Sequence, residues 1–238
     1  TVWAFATAGF EAPALFAAIA AEASKKISMF NPQALANTLW GFSAAGVEAP
    51  VLLDAVAAAD FDIIDYGRDA RSQLHVVLLH LRHAAPRHAL TALLLRHEAA
   101  LREAYTRQAV APSQAQRDVA AALRRAGWSH EFEHVTADGL RLDMAKPFEK
   151  LAVEFDGPTH YYAGETRLDG PSVAKAWLLQ RLGWRLVRVP FFEWGALSSP
   201  ADQDEYLRHQ IGRIDRLDGE QPRGNDRIPQ PARPLSRI

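Results

Sequence analysis

The sequence predicts an α-helical repeat array followed by a small α/β domain. Three observations predict it. The first sixty residues repeat with a 37-residue offset, the apolar spacing changes from helical to alternating near residue 130, and four strand-like segments follow with a single helix among them.

The repeat is explicit. Trp3-Ala4-Phe5 returns as Trp40-Gly41-Phe42, and Gly9, Glu11, Pro13 and Leu15 return as Gly46, Glu48, Pro50 and Leu52. Periods of about 20–50 residues mark units that bury their faces by stacking on one another. Each unit reads as two helices. Asn31-Pro32 places an N-cap before a proline at the first helical position. Leu35, Leu39 and Phe42 follow at helical spacing, and Gly46 supplies the stop. Pro13 and Pro50 open the second helix, with Leu15, Phe16 and Ile19 as its apolar face in the first copy. Trp3, Phe5, Trp40 and Phe42 read as packing between stacked helices, with Trp3 and Trp40 in equivalent buried positions. Residues 1–65 thus read as the end of a longer array. The chain opens mid-pattern on Thr1, the expectation for a C-terminal fragment or processed product, and any targeting segment would lie upstream.

Residues 66–110 remain helical without the repeat. Leu74, Val77, Leu78 and Leu81 make one face, Pro86 breaks the run, and Leu90, Leu93, Leu94, Leu101 and Tyr105 continue it. This stretch reads as a capping or linker region, which repeat arrays need for solubility. Ala111-Pro112-Ser113 marks a boundary, and Ser113 caps a helix that carries Val119, Ala122 and Leu123 and ends at Gly127. Residues 111–216 then read as the α/β domain. Glu131–Val135, Leu140–Met144, Leu151–Phe155 and Trp184–Val189 are its strands, Asp138-Gly139 is a hairpin turn, and Ser172–Leu182 is a helix. Residues 217–238 are rich in proline, glycine and arginine without periodicity and read as a disordered tail.

Composition narrows the function. A net charge of −1 excludes a uniformly basic nucleic-acid binder, and the absence of cysteine excludes disulfides and thiolate zinc sites. No stretch approaches the ~18 uninterrupted apolar residues of a membrane span. Charge is unevenly placed: residues 66–125 carry 10 basic and 4 acidic residues, whereas residues 1–60 carry 2 and 5. A phosphate-facing patch would therefore centre on the middle helices, with Arg82, Arg87, Arg96, Arg124 and Arg125 as candidate RNA contacts. A merely solvated arginine-rich face is the alternative.

Two constellations carry chemistry. His130-Glu131-Phe132-Glu133-His134 matches the zincin pattern H-E-x-x-H, but that chemistry needs a helix. Here the segment follows a helix stop and enters a hairpin, and residues four apart on a strand lie about 13 Å from each other. The stronger constellation is Asp143 with Glu154-Phe155-Asp156. Glu154 and Asp156, two apart on one strand, share a face that Asp143 can meet from the neighbouring strand. Converging carboxylates hold hard cations such as Mg²⁺, which activate water in phosphodiester hydrolysis. Asp143, Glu154 and Asp156 are therefore the candidate metal ligands, with His160 as candidate base and Lys175 as charge stabiliser. In the structural alternative, Asp156 holds the turn at Gly157-Pro158 and Glu154 pairs with an arginine.

Residues about 113–208 resemble the RAP domain, named for RNA binding and abundance in apicomplexans. The resemblance rests on Arg141-Leu142-Asp143-Met144-Ala145 and on Leu151-Ala152-Val153-Glu154-Phe155-Asp156-Gly157-Pro158-Thr159-His160-Tyr161. It continues through Gly170-Pro171-Ser172, Lys175, Leu178-Leu179 and Leu182-Gly183-Trp184. It closes on Val189-Pro190-Phe191-Phe192-Glu193-Trp194 and Tyr206-Leu207. The upstream repeats look like the octotricopeptide-type arrays that accompany this domain in algal and protist organellar proteins. The resemblance implies an RNA-binding protein of mitochondria or chloroplasts, acting in RNA processing, stability, translation or ribosome assembly. It also implies a restriction-endonuclease-like (PD-(D/E)xK) core. Asp143 and Glu154 match the acidic positions of that motif, while Asp156 stands where its lysine belongs. The resemblance leaves three readings: an RNA-binding module needing no cofactor, a metal-dependent endoribonuclease using Mg²⁺, and a structural part of a ribonucleoprotein such as the ribosome.

Overall fold

Proline and asparagine at helix starts, and glycine at a helix end, set the elements of the first half. A computed structural model describes residues 1–59, 62–107 and 111–217. Helix α1 (Val2–Thr7) is followed by α2 (Pro13–Ser24), α3 (Pro32–Ala45) and α4 (Pro50–Ala58). The Asn31 side chain accepts the Ala34 N–H at 2.7 Å, and Gly46 ends α3 in the left-handed conformation at φ 63°. Helices α5 (Arg68–Ala84), α6 (Ala89–Arg96) and α7 (Glu98–Thr106) complete the helical half. Helices α1, α3, α5 and α7 pack side by side as one layer, and α2, α4 and α6 form the other. Between the layers lie Phe16, Leu39, Leu52, Val56, Leu74, Leu78 and Leu94, all buried. Phe16 meets Phe42 edge to face with ring centres 5.1 Å apart, a favoured aromatic geometry.

The two repeat tryptophans are not equivalent, contrary to expectation. Trp40 is half-buried, whereas Trp3 is 46% exposed and leans on Trp40 at 6.5 Å. Among the described residues helix α1 packs chiefly on α3 and α9, which leaves nearly half of Trp3 uncovered.

The second half opens on α8 (Gln114–Arg125), capped as expected by Ser113. Strands β1 (Glu131–Val135), β2 (Arg141–Lys146) and β3 (Leu151–Asp156) follow, then α9 (Gly170–Arg181), β4 (Arg185–Pro190), α10 (Phe191–Trp194) and α11 (Pro200–Leu217). The sheet order is β1-β2-β3-β4, with the β1–β2 and β2–β3 pairs antiparallel and the β3–β4 pair parallel. The anticipated strand, helix and strand order therefore holds. The proposed tail lies outside the described residues, apart from Leu217 at the end of α11. The H-E-x-x-H segment is strand β1, where the His134 ring bonds Glu131 Oε2 at 2.7 Å.

One sheet face packs on α8 and α11 through Val119, Leu123, Met144, Val153, Val189 and Leu207. The other packs on α9 and the helical half: Leu79 of α5 is buried with Leu142, Ala152, Leu178, Leu179 and Trp184. Helix α5 thus serves two cores, since Leu74 and Leu78 face the array. Residues 66–107 do more than cap: they form a wall of the α/β domain. Polar contacts reinforce the seam. His75 Nε2 bonds the Asp138 carbonyl at 2.7 Å, Arg141 Nη2 donates to the Thr106 carbonyl at 2.9 Å, and the Tyr162 hydroxyl donates to the Thr7 carbonyl at 3.0 Å. Gly170 opens α9 so close to α1 that a Cβ there would lie 1.8 Å from the Ala6 carbonyl oxygen.

Candidate functional site

A pocket of about 400 Å³ opens where the seam meets the C-terminal end of β3. All five candidate residues, Asp143, Glu154, Asp156, His160 and Lys175, line it. Glu154 and Asp156, two apart on β3, both face it. The charges are arranged differently from expectation.

Glu154 and Arg188 stand opposite each other in the parallel β3–β4 register, yet they are not partners. Arg188 reaches diagonally along the sheet to Asp156: its Nε donates to Oδ2 at 2.7 Å and its Nη2 to Oδ1, a two-pronged pair. The fully buried Asp156 is therefore an ion-pair partner. Just past the Gly157-Pro158 turn the Tyr161 hydroxyl also donates to Asp156 Oδ2 at 3.5 Å, so the turn-side contact of the structural alternative is secondary to the ion pair. That alternative also gave Glu154 an arginine; the partner is Lys175 on α9, whose Nζ donates to Oε2. Burial works against the Lys175 ammonium, but Glu154, by charge and hydrogen bond, and Asp143 more than offset it, so its pKa lies above the ordinary lysine value.

Asp143 sits at an irregularity of the sheet. Met144 pairs with Phe132 on one side and Val153 on the other, but at Asp143 side chains replace the ladder. Its amide donates to Glu154 Oε1 at 3.2 Å, and its Oδ2 accepts the Phe155 N–H at 2.8 Å. Across the sheet Glu133 takes a left-handed backbone at φ 56°, a strained state for a non-glycine residue. Consecutive residues Leu142 and Asp143 both serve the side facing the helical half, so strand alternation breaks there. Burial, reinforced by the Glu154 charge, pushes the Asp143 carboxyl up to about 7 against the opposing pull of Lys175, the Phe155 N–H and the Gln116 side chain. Gln116 is held for this by the α8 capping box, in which its Oε1 accepts the Ser113 N–H at 2.6 Å. His160 is exposed at the rim, its Nδ1 2.9 Å from the Ser172 hydroxyl.

This arrangement does not fit the metal centre expected from three carboxylates. Asp156 gives both oxygens to Arg188, and Glu154 divides its two between Lys175 and the Asp143 amide. Among the described residues, no group of three or more His, Cys, Asp or Glu is placed to hold a metal ion.

The candidate RNA-contacting arginines separate into two sets. Arg82 is bound by Glu98 and Asp138, and Arg125 by Asp204. Arg87, Arg96 and Arg124 are exposed, and among the described residues they form no ion pair.

Sequence reasoning missed the walls contributed by Trp40 of α3, Val76 of α5, Tyr105 of α7 and Gln116 of α8. Only the fold brings these distant helices to the carboxylates. Arg188 had a legible signal, as the one charged residue between Val187 and Val189 on a strand paired with β3.

Residues 153–210 match the RAP domain family, so the chain carries a RAP domain. A RAP domain-containing protein from Oryza sativa subsp. japonica, described as chloroplastic, is 35% identical over 85 residues. The aligned stretch covers 36% of this chain and 13% of that relative. No helix among the described residues is long and apolar enough to cross a membrane.

Proposed function

We propose that the chain is part of an organellar RNA-binding protein, acting in RNA processing, stability, translation or ribosome assembly, and that its RAP domain binds without cutting. The observation that carries the non-catalytic part is the pairing of Glu154 with Lys175 and of Asp156 with Arg188, which engages two of the three carboxylates that hydrolysis would use. The RAP match supports RNA as the partner, and the chloroplastic description of the Oryza sativa relative supports the chloroplast ahead of the mitochondrion. The exposed Arg87, Arg96 and Arg124 supply phosphate contacts. Each phosphate contact releases counterions, so affinity falls steeply with salt. Fluorescence anisotropy with labelled single-stranded RNA tests this: replacing the three arginines by glutamate should weaken binding and flatten the salt dependence. Wild-type chain that binds no RNA at low salt would defeat the reading.

A second reading, a metal-dependent endoribonuclease, is favoured by one observation. Lys175 places beside Glu154 the positive group that the strand itself lacks at Asp156. The helix-strand-strand-strand-helix-strand order also supports a restriction-endonuclease-like core. Divalent-dependent cleavage of RNA by the purified chain, lost in Asp143→Asn and Glu154→Gln, would establish this reading over the first.

A further inference from the structure

The pocket is unfavourable for an RNA phosphate and suited to an RNA base. Asp143, Glu154, Asp156 and Asp169 line it against Lys175 and Arg188, and both cations are already neutralised by Glu154 and Asp156. Asp169 and the ionised fraction of Asp143 repel an anion from the interior. A flat, uncharged heteroaromatic ring meets no such barrier.

The other walls fit that ring. Trp40 and Tyr105 supply aromatic surface from two different elements. Single-stranded RNA is commonly read by stacking splayed-out bases on aromatic side chains and hydrogen-bonding their edges. The edge-reading groups are of both kinds. The Tyr105 hydroxyl donates and accepts, and among the described residues it has no hydrogen-bond partner; its neighbours include Lys175, Glu154 and Arg141. Asp143 accepts the Phe155 amide on Oδ2 and also has the Gln116 side chain as a hydrogen-bonding neighbour. A volume of about 400 Å³ lies within the ~300–1,000 Å³ usual for small-molecule sites.

We propose that this pocket binds one unstacked nucleobase of single-stranded RNA and leaves its phosphates outside. The proposal rests on the RNA-binding reading above. It makes the helical half and the RAP domain a single device, because the base is held between α3 and α7 on one side and β2, β3 and α9 on the other.

The test titrates the full chain with each common nucleoside monophosphate, with ribose 5-phosphate and with Mg²⁺ alone. The Trp40 indole and Gln116 amide resonances in nitrogen–proton correlation spectra report on the pocket. At least one nucleotide should shift both resonances saturably, and ribose 5-phosphate and Mg²⁺ should shift neither. Tyr105→Phe should weaken that nucleotide roughly 2- to 12-fold, the equivalent of one net hydrogen bond, while Tm stays near wild type. Equal shifts with ribose 5-phosphate would mean a phosphate site, and shifts with Mg²⁺ a cation site; either overturns the proposal. So does silence from every nucleotide. RNA oligomers that bind while the nucleotides stay silent overturn only the pocket assignment, whereas failure of oligomers to bind overturns the RNA reading and the proposal together.

Discussion

Removing the Asp156 carboxylate separates an ion-pair role from a turn-holding one. Asp156→Ala leaves the Arg188 guanidinium without its partner in a site where 25% of that side chain is exposed. Breaking a buried pair by deleting one member costs about 3–5 kcal/mol, because the remaining charge is stranded. Partial access to water places Arg188 at the lower end. For a chain of this length about 3 kcal/mol lowers Tm by roughly 6–12 °C. The double variant Asp156→Leu with Arg188→Met removes both charges, and such replacements are often neutral. It should recover most of the loss. Arg188→Met alone should be milder in acid than in base. Burial already raises the Asp156 pKa, and losing Arg188, which holds it down, raises it further. A carboxyl raised in the folded state contributes stability fully present below its unfolded pKa and lost as pH rises through the folded one. Urea unfolding of the four proteins gives midpoints and slopes for a complete cycle. A loss below about 1 kcal/mol for Asp156→Ala, the size expected of a capping carboxylate, or strict additivity in the double variant, would refute the pairing argument.

Two further perturbations test the site and the seam. The Asp143 carboxyl titrates near 7 when folded and near 4 when unfolded, so wild-type stability should decline as pH rises from about 4 through 7. Asp143→Asn should remove that decline in urea midpoints measured across the range; an unchanged pH profile would show that the carboxyl is already ionised in the folded chain. Gly170→Ala forces a Cβ against the Ala6 carbonyl oxygen, and overpacking of this kind costs about 1–3 kcal/mol. It should lower Tm and speed proteolysis between the helical half and the RAP domain, while wild-type behaviour would mean that α1 yields without cost.

Local grammar explains what was legible. The strands show because apolar and charged residues alternate along Arg141-Leu142-Asp143-Met144 and Val153-Glu154-Phe155-Asp156, and the helices show because Asn31, Pro32, Pro50 and Ser113 stand where caps are needed. Glu154 and Asp156 were placed on one face by the period of a strand alone. Their partners were not legible in the same way. The diagonal Arg188–Asp156 pair follows from a parallel register that exists only after α9 has crossed the sheet. Lys175 reaches Glu154 from that same helix. The irregularity at Asp143 and Glu133 left no mark in composition, since neither position holds the glycine that would announce a left-handed backbone. Trp3 and Trp40 misled for a related reason: equal register in a repeat does not create equal neighbours.

The seam decides which piece of the chain can carry the proposed activity. Helix α5 is apolar on two stripes, Leu74 and Leu78 toward the array and Leu79 toward the sheet. Cutting the chain at residue 111 would remove Leu79, Val76 and Tyr105 from the cluster that buries Leu142, Leu178 and Trp184. It would also remove Trp40, Val76 and Tyr105 from the pocket. The residues matched to the RAP family, 153–210, contain Glu154, Asp156, Lys175 and Arg188, but Asp143, Gln116 and the aromatic walls from α3 and α7 lie outside them. The charged half of the pocket is thus supplied by the RAP segment, and most of the half that would face a base comes from elements before it. A chain that kept its RAP segment and changed its helical half would keep the ion pairs and alter the base it accepts. The isolated domain is for that reason the wrong object in which to look for RNA preference.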